Sequence, residues 1–287
     1  MEISFTKMQA YGNDYIYVNA IHHQIPDPGV LSKAMSRRHF GIGADGLVLI
    51  CPSDKADFRM RIFNPDGTEA EMCGNAIRSV AKYVYHYGLT QKTEFQIETL
   101  GGIKQMKLTV ENGNVVNIHA QIGAPEFSTE KIPVRTEQKE FLNQPLKILD
   151  REFLASSVSW GNPHTVIFVE DTENFDVHKY GPAVENCSAF PCRTNVTFAQ
   201  VLSRDKIRIR EWERGTGETL GCGTGCCTAL VVACRLGLCD RQAEFLQPGG
   251  PLKVEWDNEG LVHMIGPSHI VYQGVYTYDP FETAFGN

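Results

Sequence analysis

The sequence predicts an α+β protein of two pseudo-symmetric domains, each a β-sheet or barrel wrapped around one central helix. Three observations lead to that class. Two cysteine-headed stretches, "EMCGNAIRSV" at 71–80 and "LGCGTGCCTA" at 220–229, align without a gap at an offset of 149, Cys222 minus Cys73. The same offset carries "FRMRIF" (58–63) onto "IRIREW" (207–212), "YGND" (11–14) onto "WGNP" (160–163) and "GL" at 88–89 onto "GL" at 237–238. It also matches Glu69 with Glu218, Gly74 with Gly223, Gly101 with Gly250 and Lys104 with Lys253. Matches spread over so much of each half mark an internal duplication. Finally, each half joins strand-like runs to one long helical run.

Taken in chain order, "ADFRMRIF" (56–63) alternates apolar and charged residues, as a half-buried strand does, and "NPDG" (64–67) supplies turn chemistry. A helix follows Cys73, with Ile77, Val80, Ala81 and Val84 on one face and Gly88 at its end. "GIKQMKLTVENGNVVNIHA" (102–120) reads as strand, and "QIGAP" (121–125) interrupts the repeat at the domain boundary. In the second half "HTVIFV" (164–169), "IRIREW" and "PLKVEW" (251–256) read as strands, and "RGTG" (214–217) as a turn. The helix after Cys222 is apolar nearly all round ("TALVVAC") and ends at Gly237, which predicts burial inside its own domain.

Composition excludes several classes of function. A net charge of −7 leaves no basic surplus for nucleic acid, and no apolar run reaches the length of a membrane span. The N-terminus lacks a signal-peptide pattern, so a cytoplasmic protein is expected. Of nine cysteines, none forms a C-x-x-C pair, so no metal site is expected and most thiols are read as small buried hydrophobes.

Cys73 and Cys222 are set apart by their equivalence. Duplicated domains commonly pack about a pseudo-two-fold axis, which predicts an active site in an interdomain cleft with the two cysteines on opposite sides. A helix N-terminus offers free N–H groups and the positive end of the dipole, which favours a thiolate. A thiolate and a thiol on opposite faces of a substrate make a matched base and acid. That pair suits removal of an α-hydrogen from one face of an amino acid and return of a proton to the other, with no cofactor. Backbone N–H groups of Gly74, Asn75, Gly223 and Thr224 are candidates for holding the substrate carboxylate. The plainer alternative is two buried cysteines at tight helix starts, or a disulfide linking the halves.

"KMQAYGNDY", "GIGADG", "FNPDGTEAEMCGNAIR", "WGNPH" and "ERGTGETLGCGTG" occur in that order, and together resemble the motif set of the diaminopimelate epimerases along essentially the whole chain. The resemblance implies Cys73 and Cys222 as base and acid, exchanging roles with reaction direction. It implies Gly74, Asn75, Gly223 and Thr224 at the reacting carboxylate, and Asn64, Asn162, Asn195, Glu213 and Arg214 at the distal amino-acid end, with Asn13 lining the same pocket. His164 and Glu213 would help set thiol protonation. The implied reaction interconverts LL- and meso-2,6-diaminopimelate. The implied organisation is residues 1–121 plus 267–287 as one domain and 122–266 as the other, with no cofactor, an amino-acid substrate as the ligand, and a homodimer. Departures from the family's commonest pattern fall at Ala76 (Gly frequent), Ser79 (Cys), Gly221 and Cys226 (Ala), and Thr197 (Glu). A shifted substrate preference at Thr197 and Gly221, and oxidation-prone thiols at Cys226 and Cys227, would follow. Two rivals stand beside this reading: a racemase of another amino acid such as histidine, and a thiol redox or ligand-binding relative.

Overall fold

The computed structural model describes residues 1–278; residues 279–287, the end of the segment expected to rejoin the first domain, lie outside the described residues. The chain divides into two units, Met1–Ala120 together with the chain from Pro267, and Gln121–Gly266.

The first unit begins with strands β1 (Glu2–Ala10) and β2 (Asn13–Asn19), helix α1 (Pro28–Ser36) and strands β3 (Leu47–Cys51), β4 (Phe58–Phe63) and β5 (Glu69–Ala70). Helix α2 (Gly74–His86) and strands β6 (Glu94–Thr99), β7 (Gly102–Glu111) and β8 (Asn114–Gly123) follow. Antiparallel ladders join β1 to β2, β3 to β4, β6 to β7 and β7 to β8, while β2–β3 and β4–β6 are parallel. Each parallel pair is bridged by a helical crossover, as parallel pairing requires. Strand β3 is buried over "LVLI" because α1 packs against it, forming a core of Leu31, Met35, Leu47, Leu49 and Phe63. Helix α2 packs against β1, β2 and β7, and buries Ile77, Val80, Ala81 and Val84 completely.

The second unit repeats the plan. It contains β9 (Gln144–Ile148), β10 (Arg151–Ser159), β11 (Pro163–Phe168), α3 (Val177–Glu185), β12 (Asn195–Ser203), β13 (Lys206–Glu213) and β14 (Gly217–Thr219). Helix α4 (Gly223–Arg235) and strands β15 (Gln242–Gln247), β16 (Gly250–Trp256) and β17 (Val262–Gly266) complete it. Strands β11–β12 and β13–β15 are its parallel pairs. At the offset of 149, β1 falls on β10, α1 on α3 and α2 on α4, residue for residue. The last strand, β18 (His269–Thr277), pairs with β1 as β9 pairs with β10.

Helix α4 packs against β10, β11, β12, β15, β16 and β17, and every residue from Gly225 to Ala233 is buried. The apolar circumference read from "TALVVAC" therefore has a wall on every side. Both central helices stop in a Schellman motif. Leu89 and Leu238 N–H groups donate to Val84 and Ala233 carbonyls, and Gly88 (φ 68°) and Gly237 (φ 72°) take the left-handed backbone that the stop requires.

Candidate active site

Each unit presents a cysteine at the N-cap of its central helix. Cys73 has extended backbone (φ −137°, ψ 122°), and its carbonyl accepts the Ile77 N–H at 3.0 Å. Cys222 is alike (φ −122°, ψ 112°), its carbonyl accepting from Cys226 at 3.1 Å. Extended geometry before the first turn lets the side chain stand beside the first-turn N–H groups.

In the first unit, the Cys73 thiol donates to Asn13 Oδ1 at 3.4 Å, and Asn13 Nδ2 donates to Asp45 Oδ2 at 2.8 Å. Asp45 thereby fixes the amide with its oxygen toward the sulfur. Asn75 is buried, and its Oδ1 accepts from Arg78 Nη2 at 2.6 Å. Arg78 Nη1 donates to the Gly74 carbonyl at 3.0 Å, and the guanidinium stacks over the Tyr11 ring at 5.4 Å. Arg78 is wholly buried, which places a positive charge one turn behind Cys73. Its signal in the sequence is an arginine in a central helix, at a position where the second helix carries Cys227. Asn64 is tied into its own turn: its Nδ2 donates to Thr68 Oγ1 at 2.9 Å and its N–H to the Thr68 carbonyl at 2.8 Å.

In the second unit, Cys222 Sγ accepts the Gly225 N–H at 3.4 Å, with Thr224 Oγ1 3.5 Å away. His164, Asn195 and Arg214 form a chain. Asn195 Nδ2 lies 3.5 Å from His164 Nε2 and donates to the Pro163 carbonyl at 3.0 Å, while its Oδ1 accepts the Arg214 N–H at 2.9 Å. Arg214 Nη1 donates to the Cys192 carbonyl at 3.1 Å, and Glu213 Oε1 accepts from Thr219 at 2.7 Å. The Asn162 carbonyl accepts the Trp160 N–H.

Glu211, to which the sequence reading assigned no role, lies inside this cluster. It is 1 % exposed on β13, directly opposite Thr197 of β12, whose hydroxyl donates to Oε2 at 2.5 Å. Its Oε1 lies 3.7 Å from His164 Nδ1, and one ligand atom each of His164, Glu211 and Cys222 fall within 4.8 Å of one another. Thr197 occupies one carboxyl oxygen and the Gly225 N–H the sulfur, while His164 Nδ1 lies too far from Oε1 for a hydrogen bond. A signal for Glu211 existed. In "IRIREW" the residues in phase with Ile207 and Ile209 face inward, and Glu211 is in that phase, where the first unit carries Ile62.

The electrostatics of this half-site differ from the expectation of a thiolate at Cys222. Burial pushes its thiol well above the ordinary range, and nearby Glu211 and Glu213 push it further; the Thr224 and Gly225 contacts only partly oppose them. Burial raises Glu211 to about 8. His164 is lowered to about 3 by burial and by Arg214, so the ring is neutral at physiological pH.

Four of the departures have local partners. Ser79 Oγ meets Ser268 Oγ at 2.7 Å, and Thr197 holds Glu211. Gly221 and Cys226 both serve Gln247: a Cβ on residue 221 would stand 2.9 Å from its amide, and the Cys226 thiol contacts Oε1 at 3.6 Å. Nothing in the structure explains Ala76 over Gly. Cys226 and Cys227 are wholly buried, which overturns the expectation that they expose the site to oxidation.

A duplicated α+β architecture with one central helix in each half defines a fold class already represented among solved structures. A phenazine biosynthesis protein of the PhzF family from Bacillus anthracis shares the fold, with a TM-score of 0.70 and 19% identity over 97% of this chain and 100% of that one. The diaminopimelate epimerase family model matches residues 5–128 and 156–271, one stretch mostly in each unit, and the chain belongs to that family. Diaminopimelate epimerases from Acetivibrio thermocellus and Methanococcus maripaludis strain S2 are 47% and 46% identical to it. They cover 94% and 95% of this chain, and 97% and 99% of their own lengths are matched.

Proposed function

We propose that the chain interconverts LL- and meso-2,6-diaminopimelate by two-base proton transfer at the α-carbon, a step toward lysine and peptidoglycan precursors. Family membership supports the substrate. The observation that carries the mechanism is a cysteine at the N-cap of the central helix in both copies of a duplicated unit. One thiolate takes the α-hydrogen, breaking the C–H bond and leaving its pair on carbon. The other thiol gives its proton to the opposite face and becomes the thiolate. The reverse direction exchanges these roles, and neither step calls on a pyridoxal electron sink. The carbanion and carboxylate are held by first-turn N–H groups of Gly74, Asn75, Gly223 and Thr224, aided by the positive ends of α2 and α4. Arg78, hydrogen-bonded to Gly74 and Asn75, steadies one of those turns.

The distal zwitterion is gripped by Glu213 and Arg214, which suit an ammonium and a carboxylate, with Asn64, Asn162 and Asn195 completing the set and Asn13 at the pocket wall. A single-headed amino acid would leave these groups unpaired, which disfavours histidine as substrate. The full burial of Cys226 and Cys227 weighs against a redox relative. A cytoplasmic homodimer belongs to the same reading; among the described residues no helix is long and apolar enough to cross a membrane. The test is stereochemical. The reduced protein should convert LL-diaminopimelate to the meso form and leave L-histidine unchanged, followed by chiral chromatography. Inversion of histidine with no conversion of diaminopimelate would refute the assignment.

A further inference from the structure

We infer that Glu211 is a positioning residue that holds Cys222 as a thiol in the resting protein, so that the two cysteines enter turnover in different protonation states. This rests on the epimerase reading for its consequence, but its geometry stands alone.

Glu211, His164 and Cys222 share a dry pocket, with ligand atoms within 4.8 Å and exposures of 1 %, 1 % and 8 %. Two acids in such a pocket cannot both ionise cheaply, because each anion raises the cost of the other. The groups facing them supply little relief. His164 is neutral, Glu213 adds negative charge, and the Arg214 guanidinium is engaged with the Cys192 carbonyl. The backbone is shaped around the carboxyl group. A Cβ on Gly225 would stand 2.4 Å from Glu211 Oε2, so "GCGTG" needs its third glycine to admit the carboxyl against the helix start.

The first unit lacks this device. Ile62 occupies the place equivalent to Glu211 and is buried, Tyr15 replaces His164, and the amide of Asn13 stands between Cys73 and Asp45. The asymmetry therefore belongs to Cys222. When Cys222 releases its proton to the carbanion, its S–H bond breaks, a C–H bond forms and negative charge moves to sulfur. The Gly225 N–H receives that charge, with the Thr224 hydroxyl beside it.

The experiment measures alkylation of Cys222 by iodoacetamide across pH 6.5–9.5, read peptide by peptide in a mass spectrometer, alongside pH profiles of kcat/KM in both directions. Glu211→Gln should speed Cys222 alkylation at pH 8 by about tenfold, the effect of a one-unit fall in thiol pKa. It should leave Cys73 alkylation unchanged and move the alkaline limb of kcat/KM downward equally in both directions, since the reaction equilibrium is fixed. The register pair provides a second arm. Thr197→Glu with Glu211→Thr returns a carboxyl from the opposite strand and should keep Cys222 slow, whereas Thr197→Val with Glu211→Thr should not. Equal Cys222 rates in the wild type and Glu211→Gln, or in the two double variants if Glu211→Gln fails to fold, would overturn the inference. A shifted alkylation rate in a protein inert toward diaminopimelate would leave Glu211 in place and remove the epimerase assignment.

Discussion

Glu211 and His164 carry opposite burial costs, and the difference gives the second unit a pH signature. Glu211, raised to about 8, binds a proton more tightly in the folded than in the unfolded chain. Its stabilising contribution is complete below about pH 4.3 and is lost as pH rises to about 8. His164, lowered to about 3, does the reverse: its contribution is complete above about 6.5 and is lost as pH falls toward 3. Between pH 6.5 and 8 Glu211 still titrates where His164 no longer does, so its contribution should fall by on the order of 1–2 kcal/mol over that window. Urea unfolding should show the slope in the wild type and its loss in Glu211→Gln; a slope of equal size in both would place the titration elsewhere. Cys73 and Cys222 were legible at this scale because a cysteine before a helical run, repeated at one offset, has few structural explanations. Glu211 and Arg78 were harder to read. Their charged side chains look solvent-facing until the inward phase of the strand and the encirclement of the helix are known.

At the scale of elements, the two central helices and the edges of "FRMRIF" and "IRIREW" followed from periodicity and turn residues. Strands β1 and β10 did not, and β10 shows why. It buries Ser156, Ser157 and Ser159 beside Ala155 and Val158, which leaves no alternation to read. Helices α1 and α3 escaped because each spans nine residues, α1 opening on Pro28 and α3 containing Pro182, both of which read as breaks. The burial of α4 makes a sharp energetic statement. Leu230 is fully enclosed, and Leu230→Ala should cost about 2–5 kcal/mol in a urea titration, through lost burial and the cavity left behind. A cost below about 1 kcal/mol would mean that the surrounding strands do not form a closed wall.

For the whole molecule, the duplication is the organising fact. The same plan is built twice, and what differs between the copies at the helix starts is chemistry rather than backbone: Tyr15 against His164, Ile62 against Glu211, Arg78 against Cys227. The repeat offset exposed the plan, while the side-chain differences acquire meaning only once their neighbours are known. The proposed mechanism requires both copies to act on one carbon. The decisive measurement is α-deuteration of LL-diaminopimelate in D₂O, followed by mass spectrometry and chiral separation, in the wild type, Cys73→Ala and Cys222→Ala. The wild type should place one solvent deuterium at the inverted centre. Each single variant should lose inversion by at least about a thousandfold, as the loss of one of two proton-transfer groups dictates. Inversion retained in either variant would contradict a two-thiol mechanism.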